Sequence, residues 1–254
     1  MKNFVKALFI LFLTFGHMSC SKNDDEPKKE TLQPAKAIMM TFYEPDGSIS
    51  ITSEINITYQ NEKISKMTFD NNGEIETRIF NYDPNGKINK VSRTSDGVEN
   101  SLDIVYNGNN FTITYTDTNG SKVSDFIFNS TTNTYTIHTE GSPLKPTIEF
   151  DDLGNITKVD DTSFLVITKS INSELPSIYR AQDKLFPVFN LFGSGEFFSG
   201  IIFGNHSIDK VTFTTGTSTL NLIATNVKSD IGISKLSLTN EADGKLYLEA
   251  LISY

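Results

Sequence analysis

Phe69-Asp70-Asn71-Asn72-Gly73-Glu74-Ile75 is followed at once by a second copy of its own pattern, Tyr82-Asp83-Pro84-Asn85-Gly86-Lys87-Ile88. Each has an aromatic residue, a carboxylate, a glycine three positions after it and an isoleucine two further on. Asn, Asp and Gly supply the positive φ angles that tight hairpin turns require, and the isoleucine restarts an extended strand. Aromatic-then-turn segments recur at Tyr43-Glu-Pro-Asp-Gly47, Tyr59-Gln-Asn-Glu62, Tyr106-Asn-Gly108, Tyr115-Thr-Asp-Thr-Asn-Gly120, Phe128-Asn-Ser130 and Phe150-Asp-Asp-Leu-Gly154. From Tyr59 through Tyr82, Tyr106 and Phe128 to Phe150 the steps are 23, 24, 22 and 22 residues. Two strands and two turns use a length of about that size, so the repeating unit is a hairpin.

Between turns the side chains alternate. Ile49, Ile51 and Ser53 oppose Ser50 and Thr52; Ile55, Ile57 and Tyr59 oppose Asn56 and Thr58; Phe111, Ile113 and Tyr115 oppose Thr112, Thr114 and Thr116. A period of two with one apolar face describes half-buried antiparallel strands. The fold class is therefore all-β, an antiparallel hairpin meander. Unpaired edges invite aggregation, so the meander is expected to curl into an open or closed barrel. Turns are expected at Asp46-Gly47, Asn72-Gly73, Asn85-Gly86, Asn119-Gly120 and Asp243-Gly244, and late strands at 208–215, 219–226, 234–239 and 246–254.

From Ser173 to Asn205 the alternation stops. Ile178, Ala181, Leu185 and Phe189 have helical spacing, and Pro187 should end or kink a helix near Phe186. A short helical or loop insertion near 174–200 could plug one end of the curled sheet. Its phenylalanines read either as core or as the lining of a ligand pocket. Phe186 and Phe189 are assigned to the core, whereas Phe192, Phe197 and Phe198 are the candidate ligand contacts, because adjacent residues in extended chain point opposite ways.

The N-terminus carries a different kind of signal. Lys2 and Lys6 precede an apolar run, Ala7 to Gly16, of about ten residues, well short of the roughly 20 that span a bilayer. Ser19 and then Cys20, the single cysteine, follow it. This is the layout of a secretory signal peptide. The segment resembles the lipobox of bacterial lipoproteins, with His17 where leucine is usual. That resemblance implies cleavage before Cys20 and acylation of its thiol, which would anchor the chain to a membrane through several acyl chains. Lys22-Asn23-Asp24-Asp25-Glu26 resembles the short acidic signal that sends Bacteroidota lipoproteins to the outer face of the outer membrane. The expected organisation is a signal peptide at 1–19, an acylated Cys20 with a flexible, apolar-poor tether at 20–36, and one β-meander domain at 37–254.

The Tyr/Phe-Asp-x-x-Gly-x-Ile units at Phe69, Tyr82 and Phe150 also resemble YD-repeat proteins. The whole layout is similar to a Bacteroidota family of uncharacterised lipoproteins, described by a domain of unknown function with a porin-like fold. That likeness implies a meander barrel and no established activity or site residues.

Chemistry is otherwise sparse. The net charge of −9 is evenly spread, and losing Lys2 and Lys6 with the signal leaves 20 basic against 31 acidic residues. Clustered Lys and Arg are what phosphate backbones need, so nucleic acid is not an expected partner. His138 and His206 would be the mature chain's histidines, with no thiol to join them, so neither a metal site nor a cofactor is expected. Three functions remain open. The first is a non-enzymatic surface module binding a small molecule, lipid or glycan. The second is a surface hydrolase, for instance one acting on glycans, whose carboxylate pair (Asp151 and Asp152 are examples) is not marked in sequence. The third is a true membrane barrel, suggested by the alternating, aromatic-ended stretch Leu246 to Tyr254.

Overall fold

Positive φ angles fall at the expected turns: 87° at Gly47, 55° and 97° at Asn72 and Gly73, 83° at Gly86 and 71° at Gly244. The neighbouring carboxylates hold these turns closed. Asp70 Oδ1 accepts a hydrogen bond from the Gly73 N–H at 2.7 Å, and Asp83 Oδ1 accepts from Asn85 N and Lys87 N at 2.9 Å each. Asp243 Oδ1 accepts from Lys245 N at 3.0 Å. The recurrent Asp of the repeat is thus a turn cap, satisfying N–H groups that no ladder reaches.

The computed structural model describes residues 34–162, 165–176, 185–186, 188–189, 204 and 206–254. It contains sixteen strands. The first eight are β1 (Ala37–Tyr43), β2 (Ile49–Gln60), β3 (Lys63–Asn71), β4 (Glu74–Tyr82), β5 (Ile88–Ser95), β6 (Val98–Asn107), β7 (Asn110–Asp117) and β8 (Gly120–Asn129). Then come β9 (Thr134–Thr139), β10 (Thr147–Phe150), β11 (Ile156–Asp160), β12 (Leu165–Pro176), β13 (His206–Thr215), β14 (Ser218–Ser229), β15 (Gly232–Asn240) and β16 (Leu246–Ser253). Each pairs antiparallel with the next in sequence, and β16 pairs with β1 through Ile38↔Ile252 and Met40↔Ala250. The barrel is closed, so no sheet edge is left. All described residues fall in one compact unit, Leu32–Tyr254.

Alternation sorts the wall by polarity. Ile55, Ile57, Met67, Phe69, Phe80, Ile104, Phe111, Ile113 and Phe126 point inward and are buried. The opposite face of β2 carries Thr52, Glu54, Asn56, Thr58 and Gln60, and that of β3 carries Lys66, Thr68 and Asp70. A membrane-spanning barrel needs an apolar band on its outer face. β2 and β3 have the reverse arrangement, whereas Met39, Ile79, Val105, Ile127, Ile223, Val227 and Leu251 are exposed apolar side chains on other strands.

Barrels of sixteen strands are wide enough to leave a channel unless something fills them. Here the inserted segment contributes. Leu185, Phe186, Val188 and Phe189 are buried in the same core as the wall residues. The Phe186 ring lies 5.1 Å from that of Phe80, and the Phe189 ring meets Phe111 edge-on at 5.8 Å. Phe189 N donates to the Leu185 carbonyl at 3.1 Å, one turn of helix.

Two positions depart from the alternation expected of β2. Ile51 is 46% exposed although it shares a face with Ile55 and Ile57, and Ile49, 63% exposed, is turned to the other face by the bulge at Ser50. Pairing with β3 begins only at Ser53↔Asn71, whereas pairing with β1 continues to Tyr43↔Ile49 across a bulge. The β1–β2 hairpin therefore extends past β3, and Ile51 faces the barrel mouth instead of the filled lumen.

The 23-residue repeat has its own bond. At the end opposite that hairpin, tyrosine hydroxyls donate to backbone carbonyls of the preceding strand or turn. The pairs are Tyr59 to Ala35, Tyr82 to Ile64, Tyr106 to Ile88, Tyr135 to Asn109 and Tyr254 to Ile233, at 2.7–3.0 Å. Phe128 lacks the hydroxyl, and there Asn110 Oδ1 accepts the Phe128 N–H at 2.8 Å instead.

Candidate functional site

The two barrel ends differ. At one, the insertion leaves β12 and returns to β13, held by Asn155. This fully buried side chain donates to Asp151 Oδ2 at 2.8 Å, accepts from His206 N at 2.8 Å and lies 3.2 Å from His206 Nδ1. The other end, ringed by the turns at Asp46-Gly47, Asn72-Gly73 and Asp243-Gly244, holds a cavity of about 750 Å³. That is the size of a small-molecule site.

The cavity is built from the overhanging β1–β2 hairpin, the β3–β4 turn and the β15–β16 hairpin. Met40 and Phe42 of β1, Ile51 of β2, Leu220 of β14, and Leu246 and Tyr247 of β16 supply its apolar lining. Ser53 lies among them at 3% exposure, and its Oγ has no hydrogen-bond partner among the described residues. Burying a hydroxyl unpaired is unfavourable by about 1–3 kcal/mol, so such an atom marks a place where something else can bond. Ser53 also sits in a cross-strand row: Met40 pairs with Ser53, Ser53 with Asn71, and Asn71 with Glu74.

The mouth is acidic. Glu44, Glu74 and Asp243 line it against one cation, Lys245, whose Nζ donates to the Pro45 carbonyl. Glu44 Oε1 accepts from Ser50 Oγ at 2.5 Å. Burial pushes the Tyr247 hydroxyl above its ordinary pKa, and the charge of Glu44 adds to the effect.

Further inside, one inward position along β4 from Glu74, a charged trio replaces apolar residues. Glu76 accepts from Arg78 Nε at 2.5 Å and from Arg93 Nη2 at 2.6 Å, while the Arg78 guanidinium lies 4.1 Å from the Phe69 ring centroid. On β12, Lys169 shares the inward face with Ile167 and Ile171. Its burial lowers the ammonium pKa to about 8, with the charge of Asp151 acting in the opposite sense.

Of the carboxylates and histidines singled out in sequence, Asp151, Asp152, His138 and His206 do not line this cavity. Cys20, Phe192, Phe197 and Phe198 lie outside the described residues. Asp151, half of the example acid pair, spends both carboxylate oxygens on its own turn, through Leu153 N, Asn155 N and Asn155 Nδ2. His138 on β9 and His206 on β13 stand on separate strands, and no group of three metal-ligating side chains occurs among the described residues. One sequence signal did mark the site: Ser53 interrupts the alternating run Ile49, Ile51, Ile55, Ile57.

Among the described residues the strands form a closed antiparallel barrel with a largely apolar core and a cavity at the β1–β2 end. The chain is similar in structure to a porin-like protein from Bacteroides uniformis, with a TM-score of 0.50 at 14% identity, covering 87% of this chain and 97% of that one. A porin-like protein from Bacteroides vulgatus aligns at a TM-score of 0.43 and 12% identity, over 87% and 99% of the two chains. At these identities the first likeness bears on fold alone. No protein-family model and no curated protein matches the chain.

Proposed function

We propose that this chain is a non-enzymatic binding module, anchored through an acylated Cys20 to the outer membrane and facing the cell exterior, with the barrel mouth as its ligand site. The supporting observation is the 750 Å³ apolar cavity that contains the buried, unpartnered Ser53 Oγ. The polar outer faces of β2 and β3 suit a barrel standing in water on a tether, with the lipid carried by residue 20 instead of by the strands. The carboxylates at the turns are occupied by backbone N–H groups: Asp46, Asp70, Asp83, Asp117, Asp151, Asp160, Asp161 and Asp243 each cap at least one. A carboxylate bound in this way serves the turn rather than proton transfer.

Two measurements test the reading. Mass analysis of the processed N-terminus should find diacylglyceryl-modified Cys20, and Cys20→Ser should release the protein from the membrane fraction; a mature chain starting elsewhere overturns the anchor. Titration with Nile red, a neutral solvatochromic dye, should show saturable binding that Leu220→Arg abolishes without unfolding the barrel. Equal binding by this variant removes the mouth as the site.

A further inference from the structure

We propose that the mouth cavity selects amphiphiles with an aliphatic body and a cationic amine head. This inference rests on the reading of the mouth as a ligand site and specifies what it takes.

The row Met40–Ser53–Asn71–Glu74 crosses three strand boundaries at the cavity and changes from apolar to acidic along its length. A ligand laid along it would meet a methionine at one end and a carboxylate at the other. Ser53 Oγ has an unused lone pair in an almost fully buried position. Glu74 is exposed at the rim, so its charge is available to a head group. A primary ammonium carries three N–H donors and no acceptor, which suits a row that presents acceptor oxygens at Ser53 and Glu74 on either side of Asn71. Its alkyl chain would then cover Met40, Phe42 and Leu220, with apolar burial as the main source of affinity.

Charge decides between head groups. Three carboxylates against one lysine leave the lining at −2, and Lys245 is already engaged with the Pro45 carbonyl. An anionic head would face like charge beside low-dielectric walls, where repulsion is strong. The Tyr247 hydroxyl is raised first by burial, and the charge of Glu44 adds to it. An uncharged alcohol keeps the burial and the bond to Ser53 but gains nothing from Glu74.

Competition for Nile red bound to the full chain, using decylamine, decanol and decanoate, separates these contributions because the chain length is constant. Decylamine should displace the dye at a concentration roughly tenfold below decanol, the size of one charge-assisted hydrogen bond. Decanoate should be the weakest. Added salt should shrink the advantage of the amine. Glu74→Gln should bring the amine down to the level of the alcohol and leave the alcohol unchanged, and Ser53→Ala should weaken both without lowering the melting midpoint. Decanoate binding as well as decylamine, or an amine preference that survives Glu74→Gln, overturns the head-group assignment while the cavity stands. Dye and decanol both failing to bind overturns the cavity and this proposal together.

Discussion

Replacing Phe189 with alanine tests whether the inserted segment is part of the core or a detachable lid. Phe189 is 1% exposed, and its ring meets Phe111 edge-on at 5.8 Å. Phe111 is itself stacked on Phe126 at 4.4 Å and edge-on to Tyr135 at 5.2 Å, so truncation opens a void beside a packed aromatic cluster. Phe→Ala in such a setting costs about 3–5 kcal/mol, the lost transfer energy plus the cavity term. An aromatic pair adds about 0.5–1.5 kcal/mol beyond burial, which places Phe189 in the upper half of that range. For a domain of this size each kcal/mol moves the melting midpoint by about 2–4 °C, so a fall of roughly 8–20 °C is expected. Urea unfolding followed by far-ultraviolet circular dichroism should show a lower midpoint with an unchanged slope, because the surface exposed on unfolding hardly changes. A loss below about 1 kcal/mol would refute the core assignment. It would mean the segment can leave the lumen with little effect on the wall.

Two further outcomes follow from the charged interior. Glu76→Gln leaves the Arg78 and Arg93 guanidinium groups together without their carboxylate, and should destabilise the barrel by about 3–5 kcal/mol in urea titrations; a change under 1 kcal/mol contradicts the trio as drawn. Lys169 has a folded-state pKa of about 8 against an ordinary 10.5, so between those values the unfolded chain holds a proton that the folded chain has released. Stability should therefore rise with pH from about 8 toward 10. Above about 10 the raised hydroxyls of Tyr59, Tyr247 and Tyr254 reverse the trend, because the folded chain then keeps protons that the unfolded one loses. Thermal midpoints between pH 7 and 9.5 should show the rise in the wild type and a flat profile in Lys169→Met; matching profiles contradict it.

The hairpins were legible because each depends on neighbours in sequence. Asp70, Asn72 and Gly73 make their turn whatever the rest of the chain does, and Phe111, Ile113 and Tyr115 show their common face by spacing alone. Closure was not legible to the same degree. Whether the barrel is open or closed depends on Ile38 meeting Ile252, and nothing local to either residue names the other. The mouth was hidden for a related reason. Ile49 and Ile51 carry the signature of buried positions, and only the bulge at Ser50 and the late start of pairing at Ser53↔Asn71 take them out of the lumen. Phe192, Phe197 and Phe198 stand out in sequence by the density of aromatics around them and lie outside the described residues, whereas nothing so conspicuous marks the mouth cavity and its unsatisfied Ser53 Oγ. Ser53, Glu76, Arg78 and Lys169 share one signal, a polar residue on an otherwise apolar face. Such interruptions were the better guide to where the interior does something other than pack.

The proposed entry of ligands at the mouth has a direct readout. Backbone and methyl NMR shifts of the full chain, titrated with decylamine, test this most directly. The largest changes should fall on Met40, Ser53, Leu220 and Tyr247 and saturate together, while Phe80, Phe111 and Phe189 at the filled end remain unmoved. Saturating shifts centred on Phe189 and its neighbours, with the mouth silent, would contradict it.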